Sequence, residues 1–142
     1  MKIELTKKQN EGLKITLDRW RHGEKYTAIS GFAGTGKSTL IKFIVSAMRL
    51  NPEEVRYVAY TGKAANVLKN KGCLNATTVH KLIYHAKLMS NGKYRFTPKT
   101  KYEVQTEGIK VVVVDEVSML PKKLWDLLCT YDFYIIACGD PE

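Results

Sequence analysis

An α/β fold on a parallel sheet is what this sequence predicts, from three observations. Short apolar runs alternate with amphipathic helical patterns along most of the chain. One run, "VVVV" at Val111–Val114, has the unbroken apolar character of a strand covered on both faces. A glycine-rich stretch, "GFAGTGKST" from Gly31 to Thr39, joins a predicted strand to a predicted helix. Strand, helix, strand in alternation implies parallel strands with right-handed crossovers. A length of 142 residues suits one domain, taken as 1–142, around a single core.

The elements follow in order. A helix over about Lys7 to Trp20 sets Leu13, Leu17 and Trp20 on one stripe, and Thr6 with Gln9 in "LTKKQ" has the spacing of a capping box. The strand Tyr26–Ser30 leads through the glycine-rich turn to a helix over Thr39–Leu50, with apolar Leu40, Ile41, Ile44, Val45 and Met48. A second strand, Val55–Tyr60, precedes a helix over Gly62–Lys71 that Thr61 is suited to cap. Val111–Val114 is the third strand, Pro121–Thr130 the last helix and Phe133–Cys138 the fourth strand.

Residues 85–107 break this rhythm, being too long for an ordinary connection in a compact domain. Within them, "KLMSNGKYRF" places Asn91-Gly92 between two strand-like runs, which predicts a type I′ hairpin. Pairing outward from a two-residue turn sets Met89 opposite Tyr94 and Lys87 opposite Phe96, with Leu88 and Ser90 facing Arg95 and Lys93. An inserted hairpin with an aromatic face is the expectation; a plain surface loop is the alternative.

The glycine-rich stretch carries the chemistry. Gly31 to Ser38 fits G-x-x-x-x-G-K-[ST], a phosphate cradle. Glycine tolerates the dihedrals that turn main-chain amides inward, and the helix that follows presents free N–H groups and a positive dipole end. The candidate nucleotide-binding residues are Gly31, Ala33, Gly34, Thr35, Gly36, Lys37, Ser38 and Thr39. Lys37 would reach the β and γ phosphates, and Ser38 would ligate Mg²⁺. A glycine turn that binds nothing is the alternative, and the flanking strand and helix disfavour it.

Such a loop needs a carboxylate for its metal, and "VVVVDEVSML" offers Asp115 where the third strand ends, on the edge where open α/β sheets bind ligands. Asp115 would hold Mg²⁺ and Glu116 would orient or deprotonate an attacking water, so Lys37, Asp115 and Glu116 are the catalytic candidates. A phosphoryl-transfer site also needs a cation for the charge developing in the transition state, commonly an arginine. The five arginines, Arg19, Arg21, Arg49, Arg56 and Arg95, all precede the acidic pair, and none stands in an obvious finger position.

The net charge of +9 is uneven. Residues 61–110 hold ten Lys/Arg against two Asp/Glu, whereas residues 111–142 hold two against six. A basic central block suits a polyanion track, with a solvated lysine-rich face as the bland alternative. Cys73, Cys129 and Cys138 are odd in number and lack metal-ligand spacing, which suits thiols in a reducing cytoplasm; Cys138 ends an apolar run and reads as a buried small hydrophobe. No apolar run reaches membrane-spanning length, and "MKIELTKKQN" is too charged for a signal peptide, so a cytoplasmic protein is expected.

"GFAGTGKST", "AYTGKAANVL", "TTVHKLI", "DEVSML" and "IIACGDPE" stand in the order and spacing of the early motifs of superfamily-one DNA helicases, and the chain resembles the RecD/Dda-type branch that moves 5′ to 3′ on single-stranded DNA. The resemblance covers nearly all of the chain as a first RecA-like, ATP-binding domain. It implies that Thr61, Gly62 and Lys63 meet DNA phosphates, that Thr78 and His80 of "TTVHKLI" lie on the strand, and that Gln9 reads the adenine edge of ATP. It also implies that the hairpin 87–97, within the inserted segment 85–107, is a pin parting a fork junction, with Tyr94 or Phe96 stacking on the first base pair. Capping alone is the other reading for Gln9 and Thr61, and a structural histidine the other for His80. The motif that begins at Gly139-Asp140 normally continues to a glutamine one residue past Glu142. The expectation is therefore a helicase fragment lacking the second RecA-like domain and its arginine, a loss worth about 10³ to 10⁵ in rate. Two rivals stand beside this reading: a small P-loop kinase, and a nucleic-acid-binding module whose P-loop is only structural.

Overall fold

A computed structural model describes residues 4–29, 35–73 and 75–139. Helix α1 (Lys7–Arg21) opens the chain, followed by β1 (Tyr26–Ile29), α2 (Thr35–Met48), β2 (Val55–Ala59), α3 (Gly62–Asn70), β3 (Thr77–Thr78) and α4 (Val79–Ile83). Strands β4 (Tyr84–Leu88) and β5 (Tyr94–Pro98), helix α5 (Lys101–Thr106), strand β6 (Val111–Val114), helix α6 (Lys122–Leu128) and strand β7 (Tyr134–Cys138) complete it. Five strands form one parallel sheet in the order β1-β7-β6-β2-β3.

The central strand explains the two-sided core. Val111 to Val114 are all buried, and because successive side chains leave a strand on opposite faces they divide between two clusters. Val111 and Val113 join Leu40, Ile44 and Met48 of α2, with Leu13, Leu17 and Trp20 of α1 packed against them. Val112 and Val114 join Val79, Leu82 and Ile83 of α4 and Leu124 and Leu128 of α6. At about 25 cal/mol per Å² of apolar area removed from water, burial on both faces stabilises the strand by roughly 1.5 kcal/mol or more for each valine.

The predicted elements are present with small shifts at their ends. The second predicted helix begins earlier, at Thr35 rather than Thr39, and stops at Met48, where Arg49 turns left-handed at φ 55°. The strand predicted to Ser30 is observed to Ile29; Ser30 lies outside the described residues, as do Gly31, Ala33, Gly34 and Asp140. The two-residue strand β3 and the short helices α4 and α5 are too brief for periodicity to reveal.

The inserted segment is a hairpin followed by α5, and its turn differs from the prediction. Ser90, Asn91 and Gly92 form a three-residue loop: Gly92 N donates to Met89 O at 3.0 Å, and Met89 N donates to Lys93 O at 2.8 Å. Gly92 takes φ +82°, while Asn91 is not among the left-handed residues, which excludes type I′. The Asn91 side chain instead accepts Lys93 N–H at 3.0 Å. That one extra loop residue moves the register by one, so Leu88 pairs with Tyr94, Lys87 with Arg95 and Ala86 with Phe96. The expected pairs Met89–Tyr94 and Lys87–Phe96 are therefore wrong. Tyr84, Ala86, Leu88, Tyr94 and Phe96 share one face, and His85, Lys87, Lys93 and Arg95 share the other. Two sets that the predicted register would have mixed are separated.

Candidate nucleotide and nucleic-acid site

In a parallel sheet every strand ends at the same edge, and all the described candidate residues except Gln9 and the hairpin pair form or follow such an end. Val58 pairs with Val114 in β6, and Ala59 with Thr78 in β3. Hence Asp115, Thr61 and His80 leave neighbouring strands within two residues of one another. Asp115 N donates to Val58 O at 2.9 Å and Gly139 N to Ile29 O at 2.8 Å, which ties these loops to the sheet. Gly139 holds φ +97°, where an L side chain is strained.

Lys37 is the meeting point. It lies in the first turn of α2, and its Nζ stands 3.6 Å from Asp115 Oδ1 and 3.6 Å from Glu116 Oε1. Lys37 and Asp115 are about three-quarters buried, whereas the Glu116 side chain is 64% exposed. Glu116 has a left-handed backbone, φ 48° and ψ 60°. A non-glycine residue pays roughly 1 kcal/mol or more for that conformation, and such residues gather at functional sites. The strain turns the carboxylate of Glu116 toward the same ammonium that Asp115 meets.

Lys37, Ser38 and Asp115 border a cavity of about 570 Å³ between α2 and α3, floored by Tyr57, Val113 and Cys138. Burial pushes the Cys138 thiol up to about 12, opposed by the Lys37 ammonium and reinforced by Asp115 and Glu116. Burial likewise raises Cys73 at the cavity rim. Cys138 is thus the small buried hydrophobe expected.

The helix starts are capped by the threonines singled out. Thr61 Oγ1 accepts Ala64 N–H and Thr78 Oγ1 accepts Lys81 N–H, each at 3.1 Å. Gly62 and Lys63 are the first two residues of α3, where main-chain donors are free of helical partners. Gln9 is buried and completes a capping box: its Oε1 accepts Thr6 N–H at 2.9 Å, and Thr6 Oγ1 accepts Gln9 N–H at 3.1 Å. The capping reading of Gln9 is thereby realised, and the adenine reading needs its side chain to turn or to use its amide nitrogen. Thr35 and Gly36 open α2, and Thr39 is half-buried in it. Arg19 donates to Tyr26 O and Arg56 to the carbonyls of Glu53 and Val55, both structural uses.

The sequence reading missed Tyr60 and Tyr84. Their rings lie 6.0 Å and 5.6 Å from the His80 ring. The spacing of four between His80 and Tyr84 was one available signal; Tyr60 could be found only from the pairing of β2 with β3. Tyr94 and Phe96 are 62% and 57% exposed on the hairpin, away from the Lys37 cluster in sequence and sheet. A contact between His85 Nε2 and Glu103 joins the cationic face of the hairpin to α5 and holds the Glu103 carboxyl below its usual range.

A family described as AAA domain matches residues 4–142. Among curated proteins, the chain is 28% identical over 145 residues to the ATP-dependent DNA helicase dda of Enterobacteria phage T4, covering 96% of this chain and 32% of that protein. It is 32% identical over 122 residues to the ATP-dependent DNA helicase PIF7 of Trypanosoma brucei brucei, covering 80% of this chain and 11% of that protein. The chain thus spans a third or less of the length of either relative.

Proposed function

Since the chain belongs to the AAA domain family, we propose that it is the ATP-binding motor domain of a DNA helicase, and that it hydrolyses ATP in response to single-stranded DNA. The observation that carries this reading is the Lys37 ammonium 3.6 Å from both Asp115 and Glu116, on the sheet edge from which Thr61 and His80 also emerge. Coupling a phosphate site to a strand-binding site requires that the two share one rigid edge.

In this reading Lys37 leaves its carboxylates for the β and γ phosphates, and the amides from Gly31 to Thr39 enclose them. The Ser38 hydroxyl and the Asp115 carboxylate are hard oxygen donors on one cavity wall, which fits Mg²⁺. When bound, that ion would neutralise charge on the phosphates. Glu116, exposed and released from Lys37, orients the attacking water. Gln9 reads the adenine edge. Thr61, Gly62, Lys63, Thr78 and His80 meet the DNA strand, and the aromatic face around Tyr94 and Phe96 meets a fork junction as a pin. A second α/β domain supplying the catalytic arginine belongs to the proposal. The names of the relatives favour a helicase over a small-molecule kinase, as does an acidic pair suited to activating water.

Phosphate release with and without single-stranded DNA tests it. Slow release that DNA accelerates is expected, with nucleotide affinity falling about ten- to a hundredfold in Lys37→Ala, the range of one charge-assisted hydrogen bond. Transfer of phosphate to a small acceptor would return the kinase, and no nucleotide affinity to lose would make the loop structural.

A further inference from the structure

The proposed function places His80 on the strand but leaves open how its ring meets it, and the two tyrosines beside it bear on that. Helix α4 is one turn long and firmly anchored, with Val79, Leu82 and Ile83 buried in the core and Thr78 capping its start. His80 projects from its exposed side. Tyr84 covers the imidazole in a near-parallel stack, 24° between planes, and Tyr60 approaches it at 41°. Both tyrosines are half-buried and packed against the core, so neither can swing aside without exposing apolar surface. Among the described residues, neither ring nitrogen of His80 has a hydrogen-bond partner. With Tyr84 stacked on one face and Tyr60 close beside the ring, the exposed imidazole has less π surface to offer a base and keeps its nitrogens for a partner outside the protein.

We propose that Tyr60 and Tyr84 are positioning residues that hold the His80 imidazole edge-on, so that His80 meets single-stranded nucleic acid through a ring nitrogen on a phosphate and not by stacking on a base. This rests on the nucleic-acid reading above. The geometry supports a phosphate as the partner because Tyr60 directly precedes Thr61 and the free amides at the start of α3. Amides and imidazole edge then line one side of a strand's backbone, leaving base stacking to the exposed aromatics of the hairpin, which Tyr84 begins.

Two substitutions at the exposed position separate the modes. His80→Asn keeps a polar edge, and His80→Phe keeps a flat face. Affinity of the 142-residue chain for an oligo-dT, followed by fluorescence anisotropy, should fall about tenfold for His80→Phe and less than threefold for His80→Asn. Tyr84→Leu should weaken binding in the wild-type background and have no further effect in His80→Phe, whereas Tyr84→Phe should bind as wild type. Wild-type affinity in His80→Phe, or equal losses from Tyr84→Leu in both backgrounds, would overturn the proposal while the nucleic-acid reading stands. Failure of the wild-type chain to bind the oligonucleotide at all would overturn that reading and this one together.

Discussion

The ammonium of Lys37 lies 3.6 Å from the carboxylate of Asp115, joining the start of α2 to the end of the central strand. The same ammonium stands 3.6 Å from Glu116, whose left-handed backbone brings it there. Under the proposed function, the cation assigned to phosphate is held here by the groups assigned to metal and water, so phosphate would have to displace carboxylate.

Strain at Glu116 should be measurable. Glycine is ordinarily the poorer residue next to alanine, but not at φ 48°. Glu116→Gly is expected to be more stable than Glu116→Ala by about 1 kcal/mol in urea denaturation. Both lose the ion pair with Lys37, so it cancels, and both should lose DNA-stimulated phosphate release. An alanine variant as stable as the glycine variant would mean the left-handed conformation is not maintained.

At the start of α3, Lys63→Ala should weaken binding of single-stranded DNA about equally for every sequence. It should also flatten the salt dependence by about one counterion. Titrations from low to moderate salt check this; an unchanged slope would remove Lys63 from the phosphate contacts.

On the hairpin, Tyr94 and Phe96 are more than half exposed, so replacing either with alanine should leave the unfolding midpoint unchanged. Each should still cost roughly 1–3 kcal/mol in binding a forked substrate if the rings stack on bases. Loss of stability without loss of binding would instead show a face packed within the protein.

Cys138 gives a pH dependence. Burial raises its thiol from 9.0 to about 12, so the unfolded chain ionises first. The stabilisation is fully present below about pH 9 and is lost as pH rises from there toward about 12, at about 1.4 kcal/mol per unit. The difference in unfolding free energy between wild type and Cys138→Ala should therefore shrink by about 1 kcal/mol between pH 9 and pH 10, where the unfolded thiol is still only partly ionised at the start. A difference that stays constant would place the thiol in contact with water.

Taken alone, the sequence determined the α/β order of elements and the two-faced burial of Val111–Val114, and it singled out Lys37, Ser38, Asp115 and Glu116 as the candidates for the proposed phosphate site. Each of these is written in local composition: glycines where amides must approach an anion, valines where a strand is covered twice, carboxylates directly after it. Tertiary structure alone decided the hairpin register, because a side chain bonding its own turn, Asn91 to Lys93, added a loop residue that no pattern of hydrophobicity encodes. It also decided that Lys37 meets Asp115 and Glu116, and that Tyr60 lies against His80. Those contacts follow from which parallel strands become neighbours, and strand order is set by the packing of helices on both faces, not by any residue near the site.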